Sequence, residues 1–139
     1  MATTAAITIS SDIIPGFSSY SKSMTLTEAG TTTDLKETTG YSRKKLQSTS
    51  KVDLFTMANT FVDTAATTTG AKLFIKNLGW NNVIDKSVGV KVFINSVEIG
   101  VLYGGDWLMM PVVASDDEDV EVQPETDDAV VLEWTLFYQ

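Results

Sequence analysis

Val90-Lys91-Val92-Phe93-Ile94-Asn95-Ser96-Val97-Glu98-Ile99-Gly100-Val101-Leu102 reads as two strands and the turn between them. Residues two apart in a strand share a face, so Val90, Val92 and Ile94 line one side of the first run. Only Asn95-Ser96 separates it from the second. A two-residue hairpin turn needs positive φ, which Asn tolerates, so the pair marks a β-hairpin.

Working outward, the same two-residue period recurs on both sides. Upstream, Lys72-Leu73-Phe74-Ile75-Lys76-Asn77 predicts a strand stopped by Leu78-Gly79-Trp80-Asn81-Asn82. Downstream, Tyr103-Gly104-Gly105-Asp106 predicts a turn. The apolar run from Trp107 to Val113 is interrupted by Pro111, which assigns it to a sheet edge or a bulge. Asp119-Val120-Glu121-Val122-Gln123 alternates cleanly, with valines on one face. Pro124 to Asp128 is a loop. The last segment sends Leu132, Trp134, Leu136 and Tyr138 to one face and Val131, Glu133, Thr135 and Phe137 to the other. A strand apolar on most of both faces is either central in a sandwich or half buried in a subunit contact. Short strands with regular turns and no amphipathic helix predict an all-β protein, an antiparallel β-sandwich or jelly-roll-like barrel. Its expected core comprises Leu73, Ile75, Val90, Val92, Ile94, Val120, Val122, Leu132, Trp134 and Leu136.

The first third differs in kind. Thr31-Thr32-Thr33, Thr38-Thr39-Gly40 and Ser48-Thr49-Ser50 offer few large apolar side chains, although Ile7-Thr8-Ile9-Ser10 and Met24-Thr25-Leu26-Thr27 alternate. Thr suits strands and competes with helix through its own backbone bonds. Residues 1–50 are therefore expected to form an extended Thr/Ser-rich N-terminal arm with one or two strands, and 51–139 the β-sandwich body. Lys51 to Met57 alternates and predicts a strand. Ala58 to Ala66 leaves a short helix, a loop and another strand open, because its β-branched residues weaken helix.

Composition bounds the chemistry. With 139 residues, 43% hydrophobic and 20% charged, the chain has the make-up of one globular domain. It contains neither cysteine nor histidine. Thiolate nucleophiles, zinc–sulfur sites and His-containing triads are thereby excluded. Carboxylate pairs, a Ser-Lys dyad or a magnesium site have no recognisable frame. The expectation is no enzyme, no catalytic residue, no cofactor and no metal. No apolar run approaches the ~20 residues that cross a bilayer, and the opening Met1 to Ala6 lacks a signal-peptide pattern, so no membrane partner and no export are expected. A net charge of −8 disfavours nucleic acid as the partner.

Two charged runs are candidate contacts. Arg43-Lys44-Lys45 reads first as a solvated loop and second as a contact for an acidic protein. Ser115-Asp116-Asp117-Glu118-Asp119 lacks the order of an EF-hand and reads first as a loop, then as a calcium site or a salt-bridging contact with another subunit. Opposed patches of this kind set orientation between subunits, or pair within one domain. Gly104-Gly105-Asp106 reads as a turn rather than a phosphate cradle. Trp80, Trp107, Trp134 and Tyr138 read as core or interface before they read as stacking platforms, and Trp107, Phe137 and Tyr138 are candidate interface residues.

With the strands laid out, the C-terminal half resembles small virion proteins of tailed bacteriophages. The likeness lies in Lys72-Leu73-Phe74-Ile75-Lys76-Asn77, the paired strands to Leu102, Gly104-Gly105-Asp106-Trp107 with Pro111, and the closing Leu136-Phe137-Tyr138. The N-terminal third is similar in composition to the arms by which virion subunits grip neighbours. This resemblance implies a non-enzymatic virion structural protein, assembled in the host cytoplasm. First in that class stands a capsid decoration (cement) protein that binds other virion proteins, the major capsid protein first among them. A homo-oligomer is expected, with a trimer the favoured symmetry. A neck, tail or baseplate component is the alternative within the class. A carbohydrate-binding β-sandwich for host recognition is the alternative outside it.

Overall fold

The computed structural model describes residues 3–9, 20–27, 35, 37–56, 70–80, 88–113 and 119–138. Their regular structure is entirely β: β1 (Thr4–Ile9), β2 (Tyr20–Thr25), β3 (Glu37–Thr38), β4 (Ser42–Leu46), β5 (Val52–Thr56), β6 (Gly70–Gly79), β7 (Val90–Ile94), β8 (Val97–Leu102), β9 (Trp107–Val113), β10 (Asp119–Pro124) and β11 (Val130–Tyr138). A four-stranded sheet runs β5-β10-β7-β8. A second runs β3-β11-β6-β9, with β4 also paired to β11. Every pairing is antiparallel. The expected all-β sandwich is what the chain forms. The Ala58–Ala66 segment and Asp116, Asp117 and Glu118 lie outside the described residues.

The two sheets bury one apolar cluster between them. The four-stranded sheet supplies Leu54, Phe55, Val90, Val92, Leu102, Val120 and Val122; the other supplies Leu46, Ala71, Leu73, Ile75, Val112, Val130, Leu132 and Leu136. Period-two alternation is the cause, since in β10 the buried Val120 and Val122 alternate with Asp119, Glu121 and Gln123. Ile94 and Trp134 are half-buried at the margin of the cluster. Trp134 nevertheless spans the gap: its ring stacks on Phe55 of the facing sheet at 4.4 Å between centroids. Burial of side chains this large contributes ~1.5–3 kcal/mol each before ordering entropy is counted.

The Asn95-Ser96 hairpin forms as expected, with φ of 51° and 64°. β9 is an edge strand, as Pro111 required. β11 is central, flanked by β6 on one side and by β3 and β4 on the other.

Three sequence expectations need correction. The run Arg43-Lys44-Lys45 is a strand and not a solvated loop: β4 pairs with β11 from Leu46↔Val130 to Ser42↔Trp134. Its cations mask an alternation in which Leu46 is buried while Arg43 and Lys45 point outward. Residues 37–46, expected within the arm, therefore belong to the five-stranded sheet, interrupted at Thr39-Gly40 where Gly40 takes φ +70°. Lastly, β6 does not stop at Asn77. It continues to Gly79 through an irregularity opposite Val131-Leu132, where Gly79 adopts φ +73°.

Asn77 explains that continuation. It is wholly buried, and its Nδ2 donates to the carbonyls of Val88 (3.2 Å) and Leu102 (3.0 Å) at the end of the other sheet. Its Oδ1 accepts the Gly79 N–H at 2.9 Å. Its backbone N–H donates to Asp106 and its carbonyl accepts from Gly105, both at 2.9 Å, fastening the β8–β9 turn. A buried amide is tolerated because every polar atom is used.

Two predictions follow from these local geometries. Asn77→Leu keeps the branching and heavy-atom count of the side chain but adds volume and strips three bonds from buried groups, and urea titration is expected to show a loss of about 2–4 kcal/mol. Ser96→Gly relieves a left-handed L-residue in the hairpin turn, and the same titration is expected to show a gain of about 0.5–1 kcal/mol.

A candidate interaction face

The sheet register places side chains in rows on the outer face of the five-stranded sheet. One row crosses four strands as Arg43, Glu133, Lys76 and Trp107. The next runs Thr135, Phe74 and Met109. A third runs Thr38, Phe137, Lys72 and Pro111. The buried partners of these residues, among them Leu73, Ile75, Leu132 and Leu136, point the other way into the core.

Aromatic rings form a chain across this face. Tyr41 meets Phe74 edge-on at 6.4 Å, and Phe74 meets Trp107 at 6.2 Å. Tyr41 is 70% exposed and Trp107 51%. Thr135, buried in the same row, shares a hydrogen bond with Thr38 at 2.9 Å, which seals the sheet where β3 gives way to β4.

Cations frame the rings. Arg43 Nε donates to Glu133 at 2.8 Å, and Lys45 Nζ lies 4.0 Å from the Trp80 ring centroid. Lys72 and Lys76 are half-buried between the strands' outer side chains. Four cations against the single carboxylate of Glu133 make this face basic, on a chain whose net charge is −8.

The outer face of the four-stranded sheet has the opposite character. One row reads Asp53, Glu121, Phe93 and Glu98. Asp119 stands at the start of β10 on the same side. Two lysines offset part of this charge: Lys51 binds Glu121 at 3.1 Å and lies 4.3 Å from the Phe93 ring centroid, and Lys91 reaches Glu98 at 3.7 Å. Four carboxylates against these two lysines and Lys44, whose Nζ reaches the Asp53 carbonyl at the margin of the row, leave it acidic by a single charge.

The sequence candidates are thus divided. Arg43, Lys45, Trp107 and Phe137 meet on the basic face. Lys44 points to the opposite side of β4, where its Nζ donates to the Asp53 carbonyl. Tyr138 packs against the core cluster. Asp119 sits on the other sheet. Among the described residues, the ion-pair partner of the basic run is Glu133. Tyr41, Lys72, Phe74, Lys76 and Met109 were missing from the sequence candidates. The alternation of Lys72-Phe74-Lys76 opposite Leu73-Ile75 could have revealed part of this set. Tyr41 could not be placed without β4.

No protein-family model matches the chain, and a search of curated proteins gives no match. Among solved structures, the cupin domain of Cnp3 from Schizosaccharomyces pombe aligns over 99% of this chain and 84% of its own length. Identity is 7% and the TM-score 0.40, a likeness too distant to carry an argument about activity or partners.

The charges on the basic face contribute little to folding. Exposed ion pairs are worth about 0–1 kcal/mol, and exposed cation–π contacts about 0.5–1 kcal/mol. Arg43→Ala and Lys45→Ala are each expected to move stability by less than about 1 kcal/mol in urea. A larger loss from either would make the face a stability device.

Proposed function

We propose that this protein is a non-enzymatic virion structural protein, a capsid decoration (cement) protein that stabilises a capsid lattice through protein–protein contacts. The observation that carries the reading is the N-terminal hairpin. β1 and β2 form a two-stranded sheet of their own, paired from Thr4↔Thr25 to Ile9↔Tyr20 and hydrogen-bonded to neither larger sheet. Every β2 residue is exposed, and Ile9, Tyr20 and Met24 are 51%, 51% and 45% exposed. A lone two-stranded hairpin is marginal in water and gains stability from a surface to lie on. At its base, the Leu26 N–H donates to the Thr3 carbonyl at 2.8 Å, the Thr3 N–H to the Leu35 carbonyl at 3.2 Å, and the Leu35 N–H to the Leu26 carbonyl at 2.9 Å. Leu26 and Leu35 are buried, yet neither belongs to the cluster between the sheets.

An anchored arm beside a rigid sandwich suits a subunit that grips its neighbours by adding strands to their edges. The basic aromatic face offers a second contact of the kind found at interface centres, where aromatics and Arg are enriched. The sequence resemblance to tailed-phage virion proteins supplies the biological setting. Neck, tail or baseplate placement is the alternative location for the same chemistry.

Gold-labelled antibody against the protein, applied to virions of the encoding phage, tests the reading. Label spread over the head supports decoration. Label confined to the neck or tail moves the protein there, and unlabelled particles overturn the virion reading. Removing residues 2–25 is expected to leave cooperative unfolding of the sandwich intact and to abolish binding to particles that lack the protein. Loss of folding in that variant would make the hairpin part of the body.

A further inference from the structure

We propose that copies of this chain associate front to back, the basic aromatic face of one meeting the acidic face of the four-stranded sheet of the next. This inference names a partner for the face already described and rests on the reading of the protein as an assembly component.

The argument is one of complementarity in the register. On the front, Arg43, Lys76 and Lys72 stand around Phe74, Met109 and Phe137, with Trp107 and Tyr41 exposed at the sides. On the back, Asp53, Glu121 and Glu98 stand around Phe93 in a single row. The front is therefore an apolar centre in a basic frame, the back a carboxylate frame around a Phe93 that is only 8% exposed beneath Lys51, and the frames carry opposite sign. Both belong to hydrogen-bonded sheets whose register sets the spacing of these side chains before contact.

Sign also selects the mode of association. Front against front would set four cations against four, and back against back would set carboxylates against carboxylates. Like charges juxtaposed across an interface suppress that pairing. Front against back alone brings opposite frames together. Such a contact is heterologous: it joins different patches, and repeats as an open series or closes only where the geometry of successive copies permits.

Solution charge explains how the contact is regulated. A chain of net charge −8 repels its copies at long range, and only the front face reverses that field at short range. Association is then strongest at intermediate ionic strength, where a Debye length of about 10 Å at 0.1 M screens the long-range repulsion and spares charges in contact, and it fails at 1 M, where that length is about 3 Å.

Analytical ultracentrifugation of the full-length protein tests this. Wild type at about 0.1 M salt is expected to exceed the monomer mass of 15.1 kDa in a concentration-dependent manner, and to return to it at about 1 M. Lys72→Glu/Lys76→Glu reverses the front, and Asp53→Lys/Glu98→Lys reverses the back. Each variant alone is expected to associate at least about tenfold more weakly, a difference of ~1.4 kcal/mol. Mixing the two restores association, because each then offers the face the other lacks. Circular dichroism checks that both fold, with Lys72→Gln/Lys76→Gln replacing the front variant should it unfold. A wild type that stays monomeric at about 0.1 M salt, variants that associate as wild type does, or a mixture that fails to recover would each overturn the proposal. Particle labelling is read separately, so a monomeric protein that still decorates virions refutes the front-to-back contact and leaves the proposed function standing.

Discussion

The side chain of Asn77 is the buried point at which polar contacts, and not packing alone, tie the two layers together. From near the end of β6 it reaches the carbonyls of Val88, two residues before β7, and Leu102, the last residue of β8, while its own backbone holds the β8–β9 turn. Apolar packing is non-directional and tolerates sliding between layers. Hydrogen bonds in a dry interior are directional, and leaving one unmade is expensive, so a satisfied amide there fixes the relative position of the layers. The irregular end of β6, the left-handed Gly79 and the entry to β9 all take their geometry from this residue.

Fixing the layers fixes the faces. β9 enters the sheet directly after the turn that Asn77 fastens, and Trp107 is its first residue. The rows that join Arg43, Glu133, Lys76 and Trp107 exist only because β4, β11, β6 and β9 are held in one register. Across the sandwich, Phe55 stacked on Trp134 couples the acidic side to the same central strand. The protein is thus a rigid plate of two layers whose outer faces carry opposite charge. Its N-terminal hairpin is hydrogen-bonded to neither.

Much of this was legible in the chain. Val120 and Val122, Leu73 and Ile75, Val90 and Val92 announced their inward faces by period two, and Asn95-Ser96 announced its turn by the φ values that few residue pairs accept. Pro111 marked an edge because it has no N–H to donate. The basic strand β4 was not legible: three consecutive cations outweigh Leu46 in any local reading, although in the sheet only alternate side chains need to be apolar. Asn77 likewise carries the local signature of a strand end. Its partners lie 11 and 25 residues further along the chain, and no local pattern names them.

Sequence alone determined that the chain is β throughout its described parts, which residues face inward, and which catalytic chemistries its lack of cysteine and histidine removes. Those properties depend on neighbours two residues apart or on residue identity. Tertiary structure alone decided which strands lie side by side, and with them that Arg43, Lys72 and Lys76 share a face with Tyr41, Phe74 and Trp107 while Asp53, Glu98 and Glu121 share the opposite one. Strand pairing is a non-local choice set by packing of the whole core, so a surface assembled from four strands has no counterpart in any single stretch of sequence.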